Sequence, residues 1–321
     1  MSALLSIDGL EKRFGGVTAV DGASFDVEAK SITGLIGPNG AGKTTTFDLI
    51  SGFLTPDAGT IAFRGTDVRE LMRPSRKERS IWAGCAGVVT GTTAVAGASF
   101  ASLPTVGLAA GGIGGTCLGI GGYAAQRHLR NRYRPPRRTR PAQLSRDGLV
   151  RTFQITRELE EMTVLENMLL APKGQRGESL LGAWFRRDDV REQEAKLREE
   201  ARETLEFLEI DHLADQQAGN LSGGQRKLLE LGRVLMTDPE LLLLDEPVAG
   251  VNPALTDKLL ARIEDLQADG YTFLIIEHDM DVIMNISDTI IVMSEGDVLM
   301  QGPPEDVRSD ERVIDAYLGQ E

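Results

Sequence analysis

The strongest constraint on how this 321-residue chain folds is a glycine-rich run near its start, Gly37-Pro38-Asn39-Gly40-Ala41-Gly42-Lys43-Thr44. Two glycines with four residues between them, followed by Lys and Thr, form the pattern of a phosphate-binding loop. The short apolar segment Ile32–Ile36 before it predicts a buried strand, and a helix is predicted from Gly42. Backbone N–H groups and the positive helix end would then bind phosphate oxygens, with Lys43 on the β- and γ-phosphates and the Thr44 hydroxyl on Mg²⁺.

A second apolar run, residues 241–244, is followed by two carboxylates, Asp245 and Glu246. Residues 273–276 form another such run, and the pattern over 253–268 between them is helical. Continuous apolar strands separated by a helix predict a parallel sheet that is covered on both faces. At the carboxyl edge of that sheet, Asp245 would hold Mg²⁺ through water, and Glu246 would be free to polarise an attacking water.

The third motif is Leu221-Ser222-Gly223-Gly224-Gln225, which precedes a helical pattern over 226–236. A serine and two glycines at a helix start predict a further anion site. Such a site would be redundant on the same nucleotide. It makes sense if it covers the γ-phosphate of a nucleotide that is held by another copy of the chain.

These motifs, in this order, resemble the ATP-binding cassette of ABC proteins. The resemblance implies that Phe14 stacks on adenine, that Gln154 senses Mg²⁺ and the transport partner, and that His278 is the switch histidine. It also places the loop where two copies touch at 249–253, where this chain has Asn252 and many relatives have Asp.

The predicted site is therefore as follows. The catalytic residues are Glu246, His278 and Gln154, and the Mg²⁺ ligands are Thr44, Gln154 and Asp245. The nucleotide-binding residues are Phe14, Gly37, Pro38, Asn39, Gly40, Ala41, Gly42, Lys43, Thr44, Thr45, Ser222, Gly223, Gly224 and Gln225.

Further segments resemble the ATPases of branched-chain amino acid importers, with urea and amide importers close behind: 151–154, 161–167, 249–253, 277–280 and the tail Ala316-Tyr317-Leu318-Gly319. This implies an ATP-hydrolysing motor on the cytoplasmic face of the cell membrane, with ATP and Mg²⁺ as cofactors. Its partners would be a second ABC ATPase subunit, the same or paralogous, transmembrane permease subunits and, indirectly, an extracellular solute-binding protein. An ABC ATPase that moves no solute is the alternative, although this chain has a single phosphate loop and no sustained heptads.

The resemblance implies an α/β fold of the P-loop NTPase type, with a mixed central sheet. The cassette would comprise 1–71 and 141–321, with a helical subdomain at about 155–236, and 72–140 would be an insertion. The insertion carries a net charge of +10, so the remaining 252 residues carry −23, because the whole chain carries −13. A surface this acidic disfavours nucleic acid as a partner.

Within the insertion, residues 81–126 contain no charged residue and include twelve Gly and ten Ala. Three interpretations compete: an apolar helical hairpin that crosses the membrane twice, a soluble helical pair that self-associates, and a flexible low-complexity insert. Two stretches of about twenty apolar residues and basic flanks at both ends favour the membrane hairpin, with both flanks on the cytoplasmic side.

Overall fold

The computed structural model describes residues 3–72, 141–152, 159–175 and 187–318. These residues belong to one structural unit, made of Met1–Met72 and Thr139–Glu321. The predicted hairpin at 81–126 and the predicted site residue Gln154 lie outside the described residues. Among the helices that are described, none is long and apolar enough to cross a membrane.

A six-stranded mixed sheet forms the centre of the fold, in the order β10-β9-β3-β8-β7-β6. Its strands are β3 (Ile32–Ile36), β6 (Leu149–Arg151), β7 (Leu241–Asp245), β8 (Thr272–Ile276), β9 (Thr289–Ser294) and β10 (Asp297–Gly302). Neighbouring strands are parallel except for β10, which pairs with β9 as an antiparallel hairpin. Every residue of β3, β7 and β8 is buried, as expected for parallel strands that are covered on both faces.

A second, antiparallel sheet is built from the N-terminal part of the chain, in the order β2-β1-β4-β5. Its strands are β1 (Ala3–Phe14), β2 (Val17–Glu28), β4 (Ala58–Phe63) and β5 (Thr66–Asp67).

Ten α-helices lie in the part of the chain that the structure describes. They are α1 (Lys43–Ile50), α2 (Val68–Leu71), α3 (Pro141–Arg146), α4 (Val164–Leu169), α5 (Arg187–Phe207), α6 (Gly223–Leu235), α7 (Pro253–Ala268), α8 (Met280–Ile286), α9 (Pro304–Ser309) and α10 (Glu311–Leu318). Two short 3₁₀ helices, Asp211–Leu213 and Ala218–Asn220, precede α6.

The central sheet separates two hydrophobic cores, because successive side chains of a strand point to opposite faces. In β7, Leu241 and Leu243 pack into the core that also contains α1 and the antiparallel sheet. Leu242 and Leu244 pack into the other core, with residues of α4, α5, α6 and α7. The sheet is thus fixed between a β-sheet layer on one side and helices on the other.

The α/β fold with a mixed sheet is confirmed. The predicted strands at 32–36, 241–244 and 273–276 are present, and helix α7 has the predicted bounds. Helix α6 begins at Gly223, three residues earlier than predicted. The Ser222 side chain accepts a hydrogen bond from the Gln225 N–H while the Gln225 side chain accepts one from the Ser222 N–H, and this capping box extends the helix.

Candidate functional site

The candidate site lies at one edge of the central sheet, where four adjacent parallel strands end. Strand β3 leads into the glycine-rich loop, β8 into Glu277 and His278, β7 into Glu246, and β6 ends at Arg151. Carboxyl ends of parallel strands share one edge, so the motifs that are far apart along the chain are brought together there.

The Lys43 side chain is folded into the glycine-rich loop. Its Nζ donates hydrogen bonds to the carbonyl oxygens of Gly37 at 2.6 Å and Pro38 at 3.0 Å. Burial lowers the pKa of the Lys43 amine, and the nearby carboxylates of Glu246 and Asp245 oppose that shift. Helix α1 starts at Lys43, so its first N–H groups and the exposed Thr44 face the space in front of the loop.

The two pattern glycines of the loop are required by close backbone contacts. A Cβ atom at Gly37 would lie 2.2 Å from the carbonyl oxygen of Met293, and one at Gly42 would lie 2.4 Å from that of Ala19. Both residues also have positive φ angles. Gly40 has a positive φ as well, but a Cβ there would meet nothing within 4 Å. The spacing of the motif therefore reflects where β2 and β9 approach the loop.

Glu246 and His278 form a pair across the ends of β7 and β8. His278 Nε2 lies 2.8 Å from Glu246 Oε1. The backbone of Glu246 has φ 50°, in the left-handed region that a residue with a side chain rarely adopts, and its N–H is bonded to the carbonyl oxygen of Ile276 on β8. A backbone outlier of this kind that the surrounding structure holds in place is typical of functional sites.

Glu277 holds the backbone beside this pair through hydrogen bonds. The side chain is 4 % exposed, and its two oxygens accept hydrogen bonds from the N–H groups of Val248 at 3.0 Å and His278 at 3.3 Å. Burial is the main cause of the raised pKa of Glu277, and the two N–H donors act in the opposite direction. No role was predicted for Glu277, whose hydrogen bonds join the segments that carry Glu246 and His278.

The segment 222–225 is connected to the Glu246 loop of the same chain. A Cβ atom at Gly224 would lie 2.0 Å from Leu255 Cδ2 on α7, and Lys227 Nζ donates a 3.2 Å hydrogen bond to the carbonyl oxygen of Glu246. Ser222 and Gly223 are exposed, and the side-chain hydrogen bonds of Ser222 and Gln225 stay within their capping box among the described residues. The structure thus does not bring 222–225 into hydrogen bonding with the glycine-rich loop of the same chain.

The remaining predicted residues are placed as follows. Phe14 ends β1 with its ring 48 % exposed and Lys12 Nζ 5.6 Å from the ring centroid. Asn252 caps α7, its side chain accepting a hydrogen bond from the Leu255 N–H at 3.0 Å. Near the other end of the chain, the hydroxyl of Tyr317 on α10 is hydrogen-bonded to the backbone of Gly37, and burial raises the pKa of Tyr317 to about 12.

Two oxygen-bearing side chains at the site are of the kind that Mg²⁺ takes as ligands. The described residues contain no group of three or more His, Cys, Asp or Glu that could enclose a metal ion. Mg²⁺ is usually bound through one or two protein oxygens together with substrate phosphates. The buried carboxylate of Asp245 and the exposed hydroxyl of Thr44 fit that requirement.

Comparison with known proteins identifies the family. A family model described as ABC transporter matches residues 20–95 and 125–249, and a model described as branched-chain amino acid ATP-binding cassette transporter matches 298–321. The "Probable branched-chain amino acid transport ATP-binding protein LivG" of Archaeoglobus fulgidus is 36% identical over 98% of this chain and 95% of its own length. The "High-affinity branched-chain amino acid transport ATP-binding protein BraF" of Pseudomonas aeruginosa is 34% identical over 99% and 98%.

A solved structure agrees with these relatives. The ADP conformation of an ATP-binding cassette of an ABC transporter has a TM-score of 0.67 and 32% identity, covering 100% of both chains. The family match, the whole-chain relatives and the solved structure all concern the same kind of protein. The chain therefore belongs to the ABC transporter family, as one of its ATP-binding subunits.

Proposed function

We propose that this protein is the ATP-hydrolysing motor subunit of an ABC importer for branched-chain amino acids. The observation that supports hydrolysis best is the Glu246–His278 pair, 2.8 Å apart beside Lys43 and the glycine-rich loop. Support for the cargo comes from two relatives that are named branched-chain amino acid transport ATP-binding proteins. The similarity to each of them covers nearly the whole length of both chains.

In this proposal the glycine-rich loop and Lys43 bind the phosphates of ATP, and Phe14 stacks on the adenine. The Lys43 Nζ exchanges its two carbonyl acceptors, Gly37 and Pro38, for phosphate oxygens. Phe14 is suited to stacking because its ring is exposed.

Glu246 acts as the general base that orients and polarises the attacking water. His278 donates to Glu246 through Nε2 in the present geometry, and turns that donor to the γ-phosphate when ATP is bound. Glu277 keeps both residues in register, since it holds the backbone N–H groups of Val248 and His278.

Asp245 and Thr44 are the residues that would hold Mg²⁺, together with Gln154 as the resemblance implies. When bound, Mg²⁺ neutralises charge on the phosphate oxygens. Asp245 is 3 % exposed, so its carboxylate has little freedom to move.

A second copy of the chain, or a paralogue, completes the site with its own 222–225. Ser222 and Gly223 are exposed at the start of α6, where N–H groups and a hydroxyl can meet a γ-phosphate. Gly224 of this segment packs on Leu255, and Lys227, two residues after the segment, donates a hydrogen bond to the carbonyl oxygen of Glu246. When two copies close on each other, a shift of this segment would therefore act directly on Glu246, the general base of the same chain.

The permease surface proposed here is the region around α4. Two leucines at its borders, Leu159 and Leu170, are 48 % and 52 % exposed. Between them the buried Asn167 fixes the loop, accepting from the Leu159 N–H at 2.9 Å and donating to the carbonyl oxygens of Leu159 and Thr163. A firm loop with exposed apolar side chains suits the reception of a permease helix.

The decisive experiment on catalysis compares Glu246→Gln with Glu240→Gln. Glu240 is an exposed carboxylate just before β7, whereas Glu246 follows the same strand. We expect Glu246→Gln to bind ATP normally but to hydrolyse it more slowly than the parent, by a factor on the order of 10² to 10³. Glu240→Gln should hydrolyse ATP at the parental rate. If Glu246→Gln hydrolysed ATP at the parental rate, Glu246 would not be the general base.

The cargo requires a separate experiment. The chain would be reconstituted with the permease that co-purifies with it and with the cognate solute-binding protein. We expect ATP-dependent uptake of leucine, isoleucine or valine, and loss of uptake in the Glu246→Gln complex. Uptake of urea or an amide instead would be consistent with the proposed motor function but would refute the proposed cargo.

We also propose that residues 81–126 form an apolar helical hairpin in the membrane. These residues are uncharged, and 96–124 fall between the two stretches that match the ABC transporter model. If the chain, expressed without a permease, stays entirely in the soluble fraction, this part of the proposal is wrong.

A further inference from the structure

Arg151 is a buried cation between two carboxylates at the site. Its Nη2 lies 2.8 Å from Asp245 Oδ2, and its Nη1 lies 2.5 Å from Asp48 Oδ1 and 3.3 Å from Ser51 Oγ. The side chain is 10 % exposed, against 3 % for Asp245 and 34 % for Asp48. Asp48 lies on the phosphate-binding helix α1 and Ser51 caps the end of that helix, whereas Asp245 ends β7. One guanidinium group therefore connects helix α1 to the end of strand β7.

The guanidinium is also enclosed by aromatic rings. Its Cζ lies 5.5 Å from the ring centroid of Phe47 and 5.9 Å from that of Phe53, which is within the range of a cation–π contact. Nε is buried and has no hydrogen-bond partner among the described residues. The two terminal nitrogens therefore provide the polar attachment, and each of them serves a different carboxylate.

We infer that Arg151 is a positioning residue that sets the Asp245 carboxylate for Mg²⁺ and ties it to the phosphate-binding helix. Arg151 donates only to Oδ2 of Asp245, and Oδ1 accepts no hydrogen bond from the described residues. Oδ1 would therefore be available to a water molecule bound to Mg²⁺. This inference rests on the proposed function, because it requires that ATP binds here together with Mg²⁺.

The chemistry of arginine explains why this residue type occupies the position. The planar fork presents several donors in fixed directions, so it can hold two carboxylates at once, whereas a lysine ammonium is a single point charge. Asp245 is buried, so without this cation its carboxylate would be an uncompensated charge in the core of the site.

Arg151→Lys tests the inference through the affinity for a fluorescent ATP analogue, measured with Mg²⁺ and with EDTA. We expect the Kd in Mg²⁺ to rise about tenfold or more, as is typical when a partner of a metal ligand is removed. The Kd in EDTA should stay close to the parental value, since Lys43 and the loop remain intact. Equal changes in the two Kd values, or none, would overturn the inference.

Two controls separate positioning from general stability. Arg64 also bridges two oxygen acceptors, but at the surface and away from the site: Glu240 at 2.7 Å and the carbonyl oxygen of Asp147 at 2.8 Å. Arg64→Lys should therefore leave both Kd values at the parental level. Asp48→Asn keeps an acceptor for Nη1 and should preserve most of the Mg²⁺ dependence. If Asp48→Asn matched Arg151→Lys, Arg151 would act through packing on α1 and not through Asp245.

A second variant covers the case in which Arg151→Lys does not fold. The glutamine of Arg151→Gln is uncharged and offers one amide nitrogen in place of the two terminal guanidinium nitrogens. The same difference between Mg²⁺ and EDTA is expected. A parental chain that binds no ATP in either condition would refute the proposed function, which is a different result from a variant without the Mg²⁺-specific loss.

Discussion

Replacing Gly42 and Gly40 separately with alanine distinguishes two reasons for a glycine in the phosphate-binding loop. The φ angles are alike, 96° at Gly42 and 84° at Gly40, so both alanines suffer the strain of a left-handed backbone. That strain costs roughly 1–2 kcal/mol. The surroundings differ, because the Cβ at position 40 meets nothing within 4 Å, whereas at position 42 it would lie 2.4 Å from the Ala19 carbonyl oxygen.

The contact at Gly42 determines the size of the difference. Ordinary van der Waals contact begins at 3.4 Å, so Ala19 and the loop would have to separate by about 1 Å. Ala19 lies within β2, in the antiparallel sheet, and cannot move alone. Overpacking of this kind costs about 1–3 kcal/mol. We therefore expect Gly40→Ala to lower the free energy of unfolding by about 1–2 kcal/mol, and Gly42→Ala by about 2–5 kcal/mol.

Urea unfolding of the nucleotide-free protein, followed by circular dichroism, measures both values. Equal slopes of the free energy against urea concentration would show that the variants unfold from comparable native states. Omitting nucleotide keeps any clash with phosphate out of the comparison. The reasoning is refuted if Gly40→Ala destabilises the protein as much as Gly42→Ala.

Three further predictions concern single side chains. Asn167→Leu should lower the free energy of unfolding by about 2–4 kcal/mol, because the buried backbone groups of Leu159 and Thr163 lose their partner; a urea-measured loss below about 1 kcal/mol would contradict this. The raised pKa of Tyr317 means that its contribution to stability is present below pH about 10 and is lost as pH rises towards about 12. Tyr317→Phe should lack this alkaline loss in urea melts compared across that pH range, and an identical pH profile would refute the assignment. Ser222→Ala should remove a helix cap, at a cost of about 1 kcal/mol, and should reduce hydrolysis far more than ATP binding; parallel losses in both assays would argue against a role in the partner's site.

The elements that were predictable from sequence carry local signals. Continuous apolar runs identify β3, β7 and β8, and the start of α7 is marked by Asn252 as a cap and Pro253 in the first turn. Strand β6 has only three residues, Leu149–Arg151, and it exists because its neighbour β7 supplies the hydrogen bonds. A segment that short has no periodicity of its own to read.

In the candidate site too, some features have local sequence signals and others depend on tertiary contacts. Motif order identifies Glu246 and His278 as separate candidates, but their 2.8 Å contact follows from β8 lying beside β7, which the chain order does not state. The contacts of Arg151 reach 103 residues back to Asp48 and 94 residues forward to Asp245. A lone arginine after a short apolar run gives no sign of such partners, so its role depends on tertiary structure.

The position of β3 in the sheet has a consequence for how the protein is made. Both neighbours of β3 come from far along the chain, since Ile32 pairs with Phe273 and Thr33 with Thr289. A ribosome that adds roughly 5–20 residues per second needs on the order of 12–50 s to pass from one to the other. During that time a strand that is fully buried in the finished fold has two unpaired edges and can join other nascent chains. We therefore expect the yield of folded protein to depend on chaperones that act during translation, and on the growth temperature, more than on the stability of the finished fold.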